Sequence, residues 1–162
     1  MRRSAVASYG SNPTAGNMQM MQWDFGLEQE AQAWSDKCVF AHGGSSGGQN
    51  IATGFSYTVE QHIDFWWQEY TLYNWSKPGF ASTTGHFTQV AWATSNRIGC
   101  GISECPSLGK NIVCNYLTTA NYLSYPPYLP APACTACPRT HPYCLNNLCA
   151  PAPAPDTGPL GA

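Results

Sequence analysis

Three polar side chains in this sequence have the chemistry and the setting of a site. His86 stands in Gly85-His86-Phe87-Thr88-Gln89-Val90-Ala91-Trp92, after a glycine and ahead of an apolar, strand-like run. A histidine so placed sits at the mouth of a core, held by a rigid element yet open to solvent. A metal ligand or an acid/base group is useful there. The competing reading is a hydrogen-bonded core histidine. His42 closes Phe40-Ala41-His42 ahead of paired glycines and reads as a helix end, where the dipole favours imidazolium. Its competing role is a C-terminal cap. Glu69 borders the aromatic stripe of a second helix, either as a solvated rim residue or as a desolvated functional carboxylate. Residues 43–48 match Gly-x-Ser-x-Gly in overlapping frames, but a nucleophile elbow needs a strand before it and here a helix precedes.

The elements that must hold these groups follow from periodicity. Asp24 caps a helix whose buried stripe is Leu27, Ala31, Trp34 and Cys38, running out at residues 40–42 where Gly43 and Gly44 break it. Thr58-Val59-Glu60-Gln61 is a capping box opening a second helix, with Val59, Ile63, Trp66, Trp67 and Tyr70 on its apolar face. A loop rich in turn formers, with Trp75 and Phe80 outward, leads to the His86 octapeptide. Residues 89–93, 97–102 and 111–116 read as strands, the last two as an antiparallel hairpin. Helices first and strands later predict an α+β sandwich. Residues 123–133 form a Pro-rich connector, residues 134–149 a cysteine-rich module with too few apolar groups for a core of its own, and residues 150–162 a disordered Pro/Ala tail.

Composition narrows the function. The 162 residues allow one sizeable core and a small appendage. A net charge of -2 with 10% charged residues and no basic run gives nucleic-acid and polybasic membrane roles no electrostatic support. Aromatic content of 13%, with six Trp and nine Tyr, fits a dense core or an aromatic-lined groove. No apolar run approaches the roughly 18 residues of a membrane span. Eight cysteines indicate disulfides and an oxidising compartment, with on the order of a hundred possible pairings. Zinc is the rival at Cys134-Thr135-Ala136-Cys137, which has knuckle spacing; its Pro/Ala-rich flanks favour disulfides. Asn74-Trp75-Ser76 is a glycosylation sequon compatible with secretion. The basic start lacks an apolar h-region, so we expect no signal peptide in this chain and a truncated N-terminus.

The octapeptide occurs in order with Phe40-Ala41-His42, Gly48-Gln49-Asn50-Ile51-Ala52 and Val113-Cys114-Asn115-Tyr116. Together with residues 17–23 and 34–38, this set resembles the CAP superfamily of cysteine-rich secretory proteins, antigen 5 and pathogenesis-related 1 proteins, over residues 3–122. Residues 3–7 are similar to the second half of the family's first helix. The resemblance implies an α-β-α sandwich with an antiparallel sheet and an extracellular location. It also implies a cleft formed by His42, Gln49, Glu69 and His86, in which the two histidines, with Glu69, bind zinc or another divalent cation. A glutamate is usual where Gln49 stands, so a paired-carboxylate mechanism loses one member. The resemblance further implies the disulfides Cys38–Cys105 and Cys100–Cys114. In the C-terminal module, similar to the hinge of cysteine-rich secretory proteins, it suggests Cys134–Cys144 and Cys137–Cys149.

Family members bind sterols and other lipids through the loop before the octapeptide, here with Tyr73, Trp75, Pro78 and Phe80 as walls. The expectation is a monomeric secreted binding scaffold for a sterol, lipid or other extracellular ligand, not an enzyme. The alternative is a metal-dependent hydrolase or protease using His42, Glu69 and His86. A third reading, a structural or defensive domain tethered by its Pro/Ala connectors, has no partner-binding signature.

Overall fold

The computed structural model describes residues 2–153; the expected disordered tail lies outside the described residues from 154 onward. The elements are a 3₁₀ turn (Arg3–Ser8), β1 (Gln22–Trp23), α1 (Phe25–Ser35), β2 (Gly48–Gly54), α2 (Val59–Gln68) with a 3₁₀ extension (Glu69–Leu72), α3 (Gly85–Val90), β3 (Arg97–Cys105), β4 (Gly109–Leu117), β5 (Tyr143–Leu145) and β6 (Leu148–Ala150). The main sheet has the order β1-β3-β4-β2. β4 runs antiparallel to both β2 and β3, and β1 adds a short parallel edge.

Alternation along β4 assigns the two faces of the sheet. Ile112, Cys114 and Tyr116 pack with Trp66 of α2. Val113 packs with Ile51, Ala31 and Trp34 on the α1 side. Asn111 shares that side, where its Nδ2 donates to Ser35 O at 3.0 Å and Ser35 Oγ donates to Asn111 O at 2.6 Å. Helices thus cover both faces, and the fold is an α-β-α sandwich. α1 approaches β3 closely because Gly99 and Gly101 have no side chains; a Cβ at either would run into the α1 backbone at Glu28 and Gln32.

α1 begins at Asp24, whose carboxylate accepts from Gly26 N at 2.9 Å and Leu27 N at 3.1 Å. It ends at Ser35, seven positions short of the expected end at His42. Lys37 N and Cys38 N reach back only three residues, to Trp34 O and Ser35 O, and Cys38 adopts φ 53°, which no right-handed helix continues. The buried stripe is therefore Leu27, Ala31 and Ser35, and Cys38 lies beyond it. The expected strand at residues 89–93 is also replaced: residues 85–90 form α3. Phe87, Thr88 and Gln89 are all buried, so the segment has no polar face for a strand-or-helix periodicity to register. β2, in contrast, has no counterpart among the elements expected from the sequence.

Four disulfides join Cys38 to Cys105, Cys100 to Cys114, Cys134 to Cys144 and Cys137 to Cys149. They occupy the knuckle-spaced cysteines and remove zinc from consideration there in the oxidised chain. The connector is held tightly to the main core. Tyr128 is buried and donates from its hydroxyl to Pro13 O at 2.9 Å, and Gly16 N donates to Leu129 O at 2.9 Å. The β5–β6 hairpin docks through Cys149, whose N–H and C=O bond Met18 O and Met20 N at 2.8 Å each. Leu148 enters the same apolar cluster as Met18, Trp67 and Phe87. The module borrows a core that its own composition cannot supply.

Candidate functional site

The sheet's end at β2 carries the first pair of site residues. Gln49 shares its face with Ile51, toward α1, and faces Asn115 across the β2–β4 ladder. Its Nε2 donates to Gly43 O at 2.8 Å and Asn115 Oδ1 at 3.0 Å. With the amide nitrogen so committed, Oε1 is the acceptor, for Gly43 N at 3.1 Å and His42 Nδ1 at 3.0 Å. His42 Nδ1 therefore carries the proton, and its Nε2 is left for other partners. The loop that bears His42 rests on Trp34 of α1, which donates from Nε1 to Ala41 O at 2.8 Å. His42 owes its place to this loop, clear of any helix dipole.

The second pair comes from the opposite layer. Glu69 follows α2 in the 3₁₀ extension and faces the start of α3. Its Oε2 accepts the backbone N–H groups of His86 at 2.9 Å and Phe87 at 3.1 Å, and its Oε1 accepts from His86 Nδ1 at 2.7 Å. Thr84 gives α3 no side-chain cap, so a carboxylate from a distant element does the work of one. The His86 ring stacks on Trp66 at 6.0 Å between centroids and 13° between planes. Ring stacking and the Nδ1 bond fix the imidazole with Nε2 facing away from Glu69.

The four expected residues thus form two hydrogen-bonded pairs, one on each side of the sheet's end. α3 approaches β2 there because Gly48 has no side chain: a Cβ would collide with the Gln89 amide. Asn50 Nδ2 donates to His86 O at 3.2 Å, and Asn121 Nδ2 to Gly85 O at 3.1 Å. A cavity of about 410 Å³ opens at this junction, lined by His42, Gln49, Gln89 and Asn121 among others. Glu69 and His86 are not among its walls. Among the described residues, the only three His, Cys, Asp or Glu side chains with ligand atoms all within 4.8 Å are disulfide cysteines. Glu69 already accepts three hydrogen bonds, which fill most of the acceptor capacity its carboxylate could offer a metal. The two imidazoles fit better, each having its Nδ1 proton placed on an oxygen and Nε2 uncommitted.

A model of the cysteine-rich secretory protein family, CAP, matches residues 2–116. The chain belongs to the CAP family. It is 33% identical over 156 residues to human GLIPR1-like protein 1, covering 85% of this chain and 64% of the relative. Mouse glioma pathogenesis-related protein 1 is 35% identical over 150 residues, covering 85% and 58%. Human peptidase inhibitor 15 is 33% identical over 165 residues, covering 86% and 64%. The chain spans less than two thirds of the length of these curated relatives. Among solved structures, Na-ASP-1 superposes with a TM-score of 0.78 at 25% identity, over 91% of this chain and 43% of that one. Schistosoma mansoni venom allergen-like protein 4 gives 0.69 at 27% identity, over 80% and 88%. No helix of the described residues is long and apolar enough to cross a membrane.

The loop expected to hold lipid in this CAP domain is packed differently from its sequence reading. Tyr73 is buried, and Trp75 packs on Tyr73 at 4.9 Å and Tyr128 at 4.8 Å while donating from Nε1 to Asn12 Oδ1 at 3.1 Å. Pro78 is half-buried, and only Phe80 is presented to solvent. The large aromatic-lined space lies behind Tyr128. It is a groove of about 540 Å³ walled by Trp92, Tyr122, Tyr125, Pro126, Pro127, Tyr128 and Leu129, with Asn17 and Thr94 as polar members. Sequence reasoning missed this groove by taking residues 125–132 as a bare connector; the signal was the tyrosines among the prolines. It also missed the buried amides of Asn50, Gln89 and Asn115, which no periodicity distinguishes from surface polar residues.

Proposed function

We propose that this CAP chain is an extracellular binding scaffold for a neutral, flat apolar ligand of the sterol or lipid class. The observation that carries the reading is the aromatic–proline groove. Its volume falls in the roughly 300–1,000 Å³ range of small-molecule sites, and it combines rigid apolar walls with a few polar groups. No Asp, Glu, Lys or Arg lines it, which suits an uncharged ligand. Tyr122 and Tyr125 are more than half exposed while Trp92 beneath them is buried, so the walls can close over a ring system. The paired state of all eight cysteines supports the extracellular setting. A divalent cation such as zinc belongs to the same proposal as a secondary feature. His42 and His86 would hold it through Nε2, with Glu69 orienting His86. It would supply Lewis acidity and charge.

The hydrolase reading has less behind it. Gln49 is a neutral amide engaged at both ends, and Glu69 is engaged as a cap, so neither is free to act as a base. The test measures binding of a fluorescent sterol to the full chain and to a Tyr122→Ser/Tyr125→Ser variant. At least a tenfold loss is expected in the variant, with no loss in Phe80→Ala. Equal affinity in the wild type and the double variant would remove the groove from the account.

A further inference from the structure

From the C-terminal module we infer a second chemistry: when its two disulfides are reduced, the same four cysteines form a tetrathiolate site for zinc. In the oxidised structure the Sγ atoms of Cys134, Cys137 and Cys149 already lie within 4.8 Å of one another. The fourth, that of Cys144, is bonded to Cys134. A tetrahedral zinc with Zn–S of about 2.3 Å needs its sulfurs about 3.8 Å apart. For the three clustered sulfurs, collapse onto a metal requires shifts of about an ångström, and Cys144 must swing its exposed side chain in to join them.

The backbone that presents the sulfurs is held by contacts besides the S–S bonds. Cys134 and Cys137 flank a Cys-Thr-Ala-Cys turn, in which Thr135 N donates to Pro132 O at 3.2 Å and Ala136 N to Gly16 O at 2.9 Å. Cys144 and Cys149 lie directly opposite each other across the β5–β6 hairpin. That hairpin is anchored to the main domain by the Cys149 bonds to Met18 and Met20 and by Leu148 in the core. A two-cysteine turn facing a two-cysteine hairpin is an arrangement that structural zinc uses to close a small domain. His141 is not a fifth candidate: its Nδ1 is within 3.0 Å of Thr140 Oγ1 and its Nε2 faces Asn96 Nδ2 at 3.4 Å. Residues 134–150 contain Arg139 and no acidic residue, so no carboxylate there opposes the thiolates.

Access is graded. Cys144 is exposed, which opens the Cys134–Cys144 bond to a reductant, whereas Cys149 is fully buried. With a water-soluble phosphine as reductant the reaction balances simply. Each S–S bond breaks by taking two electrons from phosphorus. Water gives its oxygen to the phosphine oxide and its two protons to the sulfurs. Zinc then replaces the S–H protons, which are released to buffer. The module has two closed states, one stapled by sulfur–sulfur bonds and one by metal.

The experiment adds Co²⁺ to the full chain, before and after phosphine reduction without denaturant, and then displaces it with Zn²⁺. The reduced chain should take one cobalt with the visible and near-ultraviolet bands of tetrahedral thiolate coordination. It should then retain one zinc, by native mass spectrometry, against a chelator of about nanomolar affinity. The oxidised chain should show no sulfur-to-cobalt charge transfer; metal held by histidines gives none, so the two sites are read separately. Cys144→Ser should keep the metal but weaken the charge-transfer band in proportion to the lost thiolate. The proposal is overturned if the reduced chain shows no tetrahedral thiolate spectrum. It is equally overturned if that spectrum is unchanged in a variant with all four module cysteines replaced by serine, since the sulfurs would then be those of the main domain.

Discussion

Replacing Glu69 with alanine should destabilise the domain, whatever happens to ligand binding. The carboxylate accepts three hydrogen bonds, two of them from the amides of His86 and Phe87 at the start of α3. Loss of a helix N-cap costs about 0.5–2 kcal/mol. Phe87 is fully buried, so its amide has little chance of finding water, and an unsatisfied buried donor costs about 1–3 kcal/mol. The two overlap, which leaves about 2–4 kcal/mol for Glu69→Ala. At about 2–4 °C per kcal/mol for a domain of this size, the melting temperature should fall by roughly 4–16 °C. Glu69→Gln keeps an oxygen for the amides but turns an N–H toward His86 Nδ1, and should cost about 1 kcal/mol. That variant must also move the His86 proton to Nε2, which imidazole ¹⁵N shifts report directly. Urea titration with intact disulfides measures the stability term, and hydrogen exchange at Phe87 localises it. If Glu69→Ala unfolds within about 0.5 kcal/mol of wild type, the carboxylate is not serving as a cap and the site geometry has been misread.

Trp75→Ala should cost about 3–5 kcal/mol, because the indole is packed between Tyr73 and Tyr128, while Phe80→Ala in the same loop should stay within about 0.5 kcal/mol; chemical denaturation of the two variants checks the contrast. Stability should also decline as pH falls through the unfolded histidine range, near 6.5. Burial, and then Lys110, lowers the pKa of His62, and burial lowers that of His141. The unfolded chain therefore binds protons that the folded chain refuses: the neutral folded rings favour folding above pH 6.5, and that contribution is lost below it. His62 sits among the Tyr57 and Phe65 rings with no partner for its Nε2, so His62→Phe should flatten part of the slope in urea midpoints measured between pH 5 and 8.

The chain's class, its layers and much of its helix chemistry were legible in the linear order of residues. Asp24 and the Thr58–Gln61 box cap their helices through bonds that span three residues or fewer, so local sequence suffices to find them. The β3–β4 hairpin was legible for the same reason. Cysteine number spoke for an oxidising compartment, and composition gave a nucleic-acid partner no electrostatic support. The failures share one cause. α3 is hidden in the sequence because its start is capped by the distant Glu69, while residues 89–93 read as a short strand. α1 was extended too far because the turn at Cys38 is committed by a disulfide to the distant β3. Trp75 looked exposed because its cover, Tyr128, comes from a connector that sequence alone gave no reason to bury. Even Gln49, which reads as the loss of a charge, is a bridge from the His42 loop to Asn115 of β4. Local bonds are written in neighbouring residues; the caps, covers and bridges that shape this site join elements far apart in the chain, and only their assembly in three dimensions decides which polar groups are left free to meet a ligand.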